Sequence, residues 1–260
     1  MTFSQIPYVR ADLEGWKQQM QDITARFQAA ATFEEADAAY VEAATFDAEF
    51  STMITVARIR NNIDTRDEFY DQEINFWDSA APELEEYTQS WTMAMLKSPF
   101  RADFAAEYGE LMFTNAEMKL KTFSPEIIPD LQQENQLVTE YQKLIASAQI
   151  PFEDGVYTLS QLSPFKNDAD DARRLAAGNA EGQGYIDNQE KLDQIYHDLV
   201  QLRDAMGRKL GYDGYTELGY YRMGRNCYTK EDVENFRAAV RKHLVPVADS
   251  IYRAQAERLG

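Results

Sequence analysis

The hydrophobic residues of this chain recur mostly at alternating intervals of three and four positions, which is the period of an amphipathic α-helix. The first such stripe consists of Leu13, Trp16, Met20, Ile23, Phe27 and Ala30. It predicts a helix that begins after Asp12. Because similar stripes follow along the whole chain, the pattern predicts an all-α, multi-helix fold.

Serine and threonine residues mark several predicted helix starts. Thr32 followed by Glu35 is a capping box, in which each side chain binds a free backbone amide of the first turn. A long second helix should begin there and pair with the first as an antiparallel hairpin. Thr65 and Glu68 repeat the pattern and predict a third start.

Proline residues predict further boundaries. Pro82 suits the first turn of a helix, where its missing amide hydrogen costs nothing, and Ser98-Pro99 should end that helix. Ser124-Pro125 predicts another start. The residues expected to face inward from the helix after Ser124 are Leu131, Leu137, Tyr141, Leu144 and Ile145.

One segment breaks the helical period. Two short apolar runs, at Ile150 and at Val156, flank the Asp154-Gly155 pair, which suits a tight turn. The sequence therefore predicts one small β-hairpin near residues 149–159. A division near residues 122–124 would separate an N-terminal lobe, 1–122, from a second lobe, 123–260.

Helices are predicted again in the last third of the chain, near 168–187 and 188–210, with Gly211 as the C-terminal stop of the second. Thr229 should cap another helix, and Pro246 should kink it. The residues expected to face inward from that helix are Val233, Phe236, Val240 and Leu244. A last apolar stripe contains Val247, Ile251, Ala254 and Leu259.

The composition narrows the classes of partner. The 260 residues carry a formal charge of −18, which repels nucleic-acid phosphates and anionic lipid headgroups. Residues 1–130 hold 24 acidic and 10 basic residues, which form either a wall that attracts cationic peptides or a solvated surface. The lone Cys227, the lack of a signal peptide and the lack of a long apolar run predict a cytoplasmic protein.

The glycines and aromatic residues between Lys209 and Arg225, KLGYDGYTELGYYRMGR, resemble a segment of the oligoendopeptidase F family. Segments at 57–63, 157–165 and 236–260 resemble the same family in the same order. The resemblance implies a helical zinc metallopeptidase whose two halves flank a channel for oligopeptides. It also implies that these residues form the N-terminal half of the enzyme.

The catalytic helix of that family carries a His-Glu-x-x-His motif, which this chain lacks. Its histidines are His197 and His243, and neither begins the motif. We therefore expect no catalytic residue, no metal ligand and no peptidase activity in this chain alone. The resemblance implies zinc in the parent enzyme and a C-terminal catalytic half as a partner.

Four residues of the segment that resembles the family are candidates for substrate binding: Tyr220, Tyr221, Arg222 and Arg225. Phenol and guanidinium groups can bind the carbonyls and terminal carboxylate of a peptide. Alternatively, the tyrosines pack the junction of two helices. Taken with the resemblance, the sequence favours a channel-forming half of a zinc oligopeptidase, and the alternative is a non-catalytic, acidic helical interaction protein.

Overall fold

The computed structural model of the protein describes residues 2–259, which are mostly helical and include one antiparallel hairpin. The predicted all-α class is therefore confirmed. The helices are α1 (Leu13–Ala29), α2 (Phe33–Ile63), α3 (Glu68–Leu96), α4 (Arg101–Tyr108), α5 (Leu111–Lys119), α6 (Ile128–Ala146), α7 (Asp171–Asp187), α8 (Gln189–Lys209), α9 (Tyr215–Arg222), α10 (Lys230–Ala239) and α11 (Val245–Leu259). The strands are β1 (Ile150–Phe152) and β2 (Gly155–Tyr157).

Helices α1, α2 and α3 pack against one another around an aromatic core. Trp77 is 1% exposed, and its ring lies edge-on to Phe50, 5.5 Å between centroids. The starts of α1 and α2 are as predicted, because Asp12 accepts from the Gly15 amide and Thr32 from the Glu35 amide. The 3,4-spaced stripe of α1 thus faces this core.

Two predicted boundaries in α3 are wrong. The cap is Asp67 and not Thr65, because the Asp67 carboxylate accepts from the first amides of the helix. Pro82 lies inside α3 and not at a helix start. Proline cannot donate to the carbonyl four residues earlier, that of Asp78. The side chain of Asn135 on α6 donates to this carbonyl at 3.0 Å, so the helix continues through the proline.

The hairpin is confirmed, but its turn lies one residue earlier than predicted. Phe152 pairs with Gly155, so the two turn residues are Glu153 and Asp154, and Glu153 has a φ of 50°. Ile150 and Phe152 are buried in a cluster that includes Ala177 of α7. The hairpin therefore anchors α7 through apolar contacts.

The inward-facing residues of α6 agree with the prediction only in part. The predicted Leu131, Leu137, Leu144 and Ile145 are half-buried, but the predicted Tyr141 is 47% exposed. The fully buried residues of this helix are Glu134 and Thr139. Apolar periodicity identified the helix but not its most buried positions, because those positions are polar.

Helices α10 and α11 have no buried residue within 230–259, so the inward orientation predicted for Phe236 and Leu244 is wrong. Thr229 and Asp232 form the capping box of α10. A π-helical segment, Val240–Leu244, precedes Pro246, in keeping with the predicted interruption. Among residues 2–259, no helix is both long and apolar enough to cross a bilayer.

The division into lobes 1–122 and 123–260 stays a proposal. Apolar clusters occur on both sides of it, with Ile23 and Trp77 in the first lobe and Ile127 and Met206 in the second. Helices α3 and α6 pack directly against each other across the boundary.

Candidate functional site

The residues singled out in the sequence lie on and just after α9, beside an open groove of about 1050 Å³. The end of α5 and the segment before α10 form its other sides. Tyr220, Tyr221 and Arg225 line this groove. Arg222 does not; it lines a separate cavity between α2, α3, α6, α8 and α9.

Two cations in the groove lie over aromatic rings. The Arg225 guanidinium lies 4.3 Å from the centroid of the Tyr220 ring and 5.8 Å from that of Tyr228. The Lys121 ammonium lies 4.9 Å from the centroid of the Tyr221 ring. Within residues 2–259, neither cation forms an ion pair. Both can therefore bind a carboxylate or carbonyl group without breaking an internal pair.

The hydroxyls of Tyr221 and Tyr212 are protonated at neutral pH, because the pKa of each is raised. Burial and the hydrogen bond to Glu217 raise the pKa of Tyr221, whose hydroxyl donates to the Glu217 carboxylate at 3.1 Å. Burial also raises the pKa of Tyr212, which donates to the Lys121 carbonyl at 2.8 Å. These bonds fix both rings beside the groove.

Arg222 belongs to a buried ionic centre. The side chain of Glu134 is 4% exposed and accepts from Arg222 Nη2 at 2.7 Å and from Arg203 Nε at 2.6 Å. Burial alone would raise the pKa of Glu134, but the hydrogen bonds and charges of the two arginines outweigh it and hold the pKa below its usual value. Tyr215 completes the centre, because its hydroxyl lies 3.2 Å from Arg222 Nη1. This centre joins α6, α8 and α9.

Backbone packing sets the position of α9. A Cβ atom added to Gly207 on α8 would overlap the carbonyl group of Gly214, which directly precedes α9. The turn between the helices includes Gly211, with a φ of 88°, a conformation that favours glycine. The two helices therefore approach more closely than any larger residue at 207 would allow.

Sequence reasoning missed two residues of the groove, Lys121 and Tyr228. Tyr228 lies three residues after Arg225, so its distance along the chain was a usable signal. Lys121 is 100 residues before Tyr221, and nothing near it in the sequence links the two. Only the packing of α5 against α9 brings them together.

Neither histidine of the chain lines the groove or the cavity beside Arg222. His197 and His243 are both exposed. Across residues 2–259, no group of three His, Cys, Asp or Glu side chains is arranged to hold a metal ion.

The sequence model of the peptidase M3 N-terminal domain matches residues 3–123. PZ peptidase A, solved with an inhibitor, superposes with a TM-score of 0.96 at 41% identity, over 100% of this chain and 46% of its own. A Bacillus anthracis strain Ames protein assigned as an oligoendopeptidase F gives 0.97 and 37%, over 100% of this chain and 48% of its own. The chain belongs to the oligoendopeptidase F family. The resemblance found in the sequence is thereby confirmed.

A further crystal structure assigned as an oligoendopeptidase F gives a TM-score of 0.96 at 38% identity, over 99% of this chain and 46% of its own. The chain thus spans slightly under half the length of the oligoendopeptidase F-like structures that it matches. No curated protein matches the chain significantly. Together with the family model, these similarities show that the chain corresponds to the N-terminal half of the proteins of this family.

Proposed function

We propose that this chain forms one wall of the substrate channel of a zinc-dependent oligopeptidase that hydrolyses short peptides. The observation that carries the proposal is the superposition of the whole chain on PZ peptidase A at 41% identity. The groove beside α9 adds chemical support. Its tyrosine hydroxyls and unpaired cations suit the carbonyls and terminal carboxylate of an extended peptide.

The residues of this chain do not fit a zinc site. A catalytic zinc takes three protein ligands, usually His, Glu or Cys, and no such group occurs within residues 2–259. We therefore assign the metal and the bond cleavage to a C-terminal half. We assign peptide contact and control of access to the present chain. We also propose that the enzyme is cytoplasmic.

The surface for that C-terminal half is assigned to α11. Val247, Ile251 and Leu259 are 52%, 59% and 72% exposed, respectively. They lie on the last helix of a chain that spans 46% of PZ peptidase A. An exposed apolar stripe of this kind is typical of an interface. The partner half is thus expected to cover it.

Co-expression with the C-terminal part of PZ peptidase A tests the proposal. The two polypeptides should co-purify and hydrolyse a short fluorogenic peptide, and a chelator should abolish the activity. Ile251→Glu should prevent assembly, because it places a charge in the apolar stripe. Arg253→Gln, which makes the same change in charge at an exposed position on the opposite face of the helix, is the matched control.

A second measurement tests the groove in the assembled enzyme. Arg225→Gln should raise KM by about tenfold and leave kcat nearly unchanged, as expected when a charge-assisted contact to bound substrate is lost. Arg66→Gln, on the exposed turn before α3, is the control. If the chain neither assembles with the catalytic part nor restores cleavage, the interaction-protein alternative is favoured.

A further inference from the structure

Four strongly buried polar side chains line one cavity of about 260 Å³. They are Asn61 on α2, Asp78 on α3, and Glu134 and Thr139 on α6, each at most 9% exposed. The cavity lies where these helices meet α8 and α9. It is separate from the open groove, because the two share none of their lining residues.

The polar groups of this cavity fall into two sets. Glu134 is satisfied by Arg203 and Arg222. Asn61 Nδ2, in contrast, is buried without a hydrogen-bond partner among the described residues. Leaving such a donor unpaired costs about 1–3 kcal/mol, so its retention needs an explanation.

Two charged side chains that line the same cavity also have few partners. Asp78 Oδ2 accepts from Thr139 Oγ1 at 2.6 Å, which is the one side-chain hydrogen bond of this carboxylate among residues 2–259. Arg58 lines the same cavity and forms no ion pair within the described part of the chain. The cavity thus offers an amide donor, a guanidinium donor and a carboxylate acceptor.

These groups specify the ligand by its charges. A carboxylate would accept from Asn61 and Arg58, but as a simple anion it would be repelled by Asp78. A simple amine would bind Asp78 and be repelled by Arg58. A ligand that carries both groups meets all three requirements. The volume lies below the roughly 300–1,000 Å³ typical of drug-sized ligands, so the ligand must be small.

We propose that this cavity binds a free α-amino acid as its zwitterion. The amino-acid carboxylate accepts from Asn61 Nδ2 and Arg58, and its ammonium group donates to Asp78. The site is complete within this chain and does not depend on the peptidase function. The competing occupant is ordered water, which would also satisfy Asn61.

Isothermal titration calorimetry on the 260-residue chain tests the proposal. The probes are glycine, L-alanine, L-serine and L-leucine, with acetate and methylammonium as half-ligands at the same ionic strength. At least one amino acid should bind saturably with a stoichiometry of one. Both half-ligands should bind at least about tenfold more weakly, because each loses a charge-assisted contact. The proposal is wrong if no amino acid binds, or if a half-ligand binds equally well.

Asn61→Leu separates a ligand-binding role from a structural one. It should weaken amino-acid binding by about tenfold or more. It should keep or raise the thermal midpoint, since it replaces an unpaired buried amide with an apolar group of similar size. Asn179→Leu, on the exposed face of α7, is the control and should bind normally.

Asp78→Asn provides a second variant if Asn61→Leu fails to fold, and it should weaken binding to a similar degree. Undiminished binding in a folded variant at either position would refute the assignment. A crystal structure grown with the tightest-binding amino acid gives the final check. Water alone in the cavity would refute the proposal, whereas amino-acid density between Asn61 and Asp78 would support it.

Discussion

The two sides of the proposed lobe boundary are held together by different chemistry. In the first lobe, aromatic rings from α1, α2 and α3 fill the core, with Trp77 at 1% exposure. In the second, Glu134 binds Arg203 and Arg222 and so joins α6 to α8 and α9. Apolar packing is tolerant of direction, whereas a buried ion requires partners at fixed positions. The second lobe therefore combines its apolar clusters with one ionic centre whose partners must lie at fixed positions.

The aromatic core should show the largest effect on stability. Trp77→Ala removes a buried indole that packs against Phe50 and donates to the Tyr8 hydroxyl at 3.0 Å. We expect a loss of about 3–5 kcal/mol in the free energy of unfolding. Urea unfolding followed by circular dichroism measures it. Ile63→Ala, at a position 72% exposed, should change little, and an equal loss there would contradict this account.

A substitution in the ionic centre should cause the second-largest loss of stability. Glu134→Gln leaves Arg203 and Arg222 without their shared counter-ion, and we expect a loss of about 2–4 kcal/mol. The same urea titration measures the loss. Glu140→Gln on the same helix, whose carboxylate pairs with Lys191 at the surface, is the matched control and should cost less than about 1 kcal/mol. Equal effects of the two substitutions would show that the centre contributes no more than a surface pair.

The two buried carboxylates Glu134 and Asp78 should change the stability of the fold with pH in opposite directions. The usual pKa of a glutamate is near 4.5, and at pH values above it the lowered pKa of Glu134 stabilises the fold. This contribution is lost as the pH falls through the folded-state pKa. Burial raises the pKa of Asp78 above its usual value near 3.8, against the opposing effects of Thr139, Arg58 and Lys143. The contribution of Asp78 to stability is fully present below pH 3.8 and is lost as the pH rises through its folded-state pKa.

Urea midpoints between pH 3.5 and 7 check these signs by comparing each variant with the parent protein. The advantage of the parent over Glu134→Gln should shrink as the pH falls through the acidic range. The stability of the parent relative to Asp78→Asn should instead improve over the same fall in pH. Parallel profiles for the two variants would contradict the assignment.

A smaller effect should come from the edge of the ionic centre. Tyr215→Phe removes the hydroxyl next to Arg222 but keeps the ring, whose centroid lies 5.6 Å from the Arg203 guanidinium. We expect a loss of about 0.5–1.5 kcal/mol, the contribution of a single hydrogen bond. Thermal unfolding measures it. A loss as large as that of Glu134→Gln would mean that the hydroxyl orients both arginines.

The difference between the lobes also explains how far the sequence could be interpreted. Apolar periodicity located α1 and α2 because their buried faces are apolar. It failed on the face of α6, where Glu134 and Thr139 are buried, because a buried carboxylate is recognisable only from its partners. Those partners lie 69 and 88 residues further along the chain. Pro82 misled for a similar reason, since the Asp78 carbonyl that it leaves without a helical donor accepts from Asn135.

For the groove, the sequence identified Tyr220, Tyr221 and Arg225 as candidates from one continuous segment, and the structure brings these three together. Arg222 belongs to the same segment but lies on the opposite side of α9, in the ionic centre. Lys121 could not be found, because its proximity to Tyr221 arises from tertiary packing alone. Whether any of these residues binds substrate stays a prediction.

The close contact between Gly207 and Gly214 has a consequence for how the groove can vary. Because backbone atoms meet there, the position of α9 does not depend on the side chains that α9 presents to the groove. Substitutions at Tyr220 or Tyr221 should therefore change the surface of the groove without moving α9 itself. Position 207, by contrast, has almost no freedom to vary. The surface of the groove and the placement of α9 are thus encoded at separate positions.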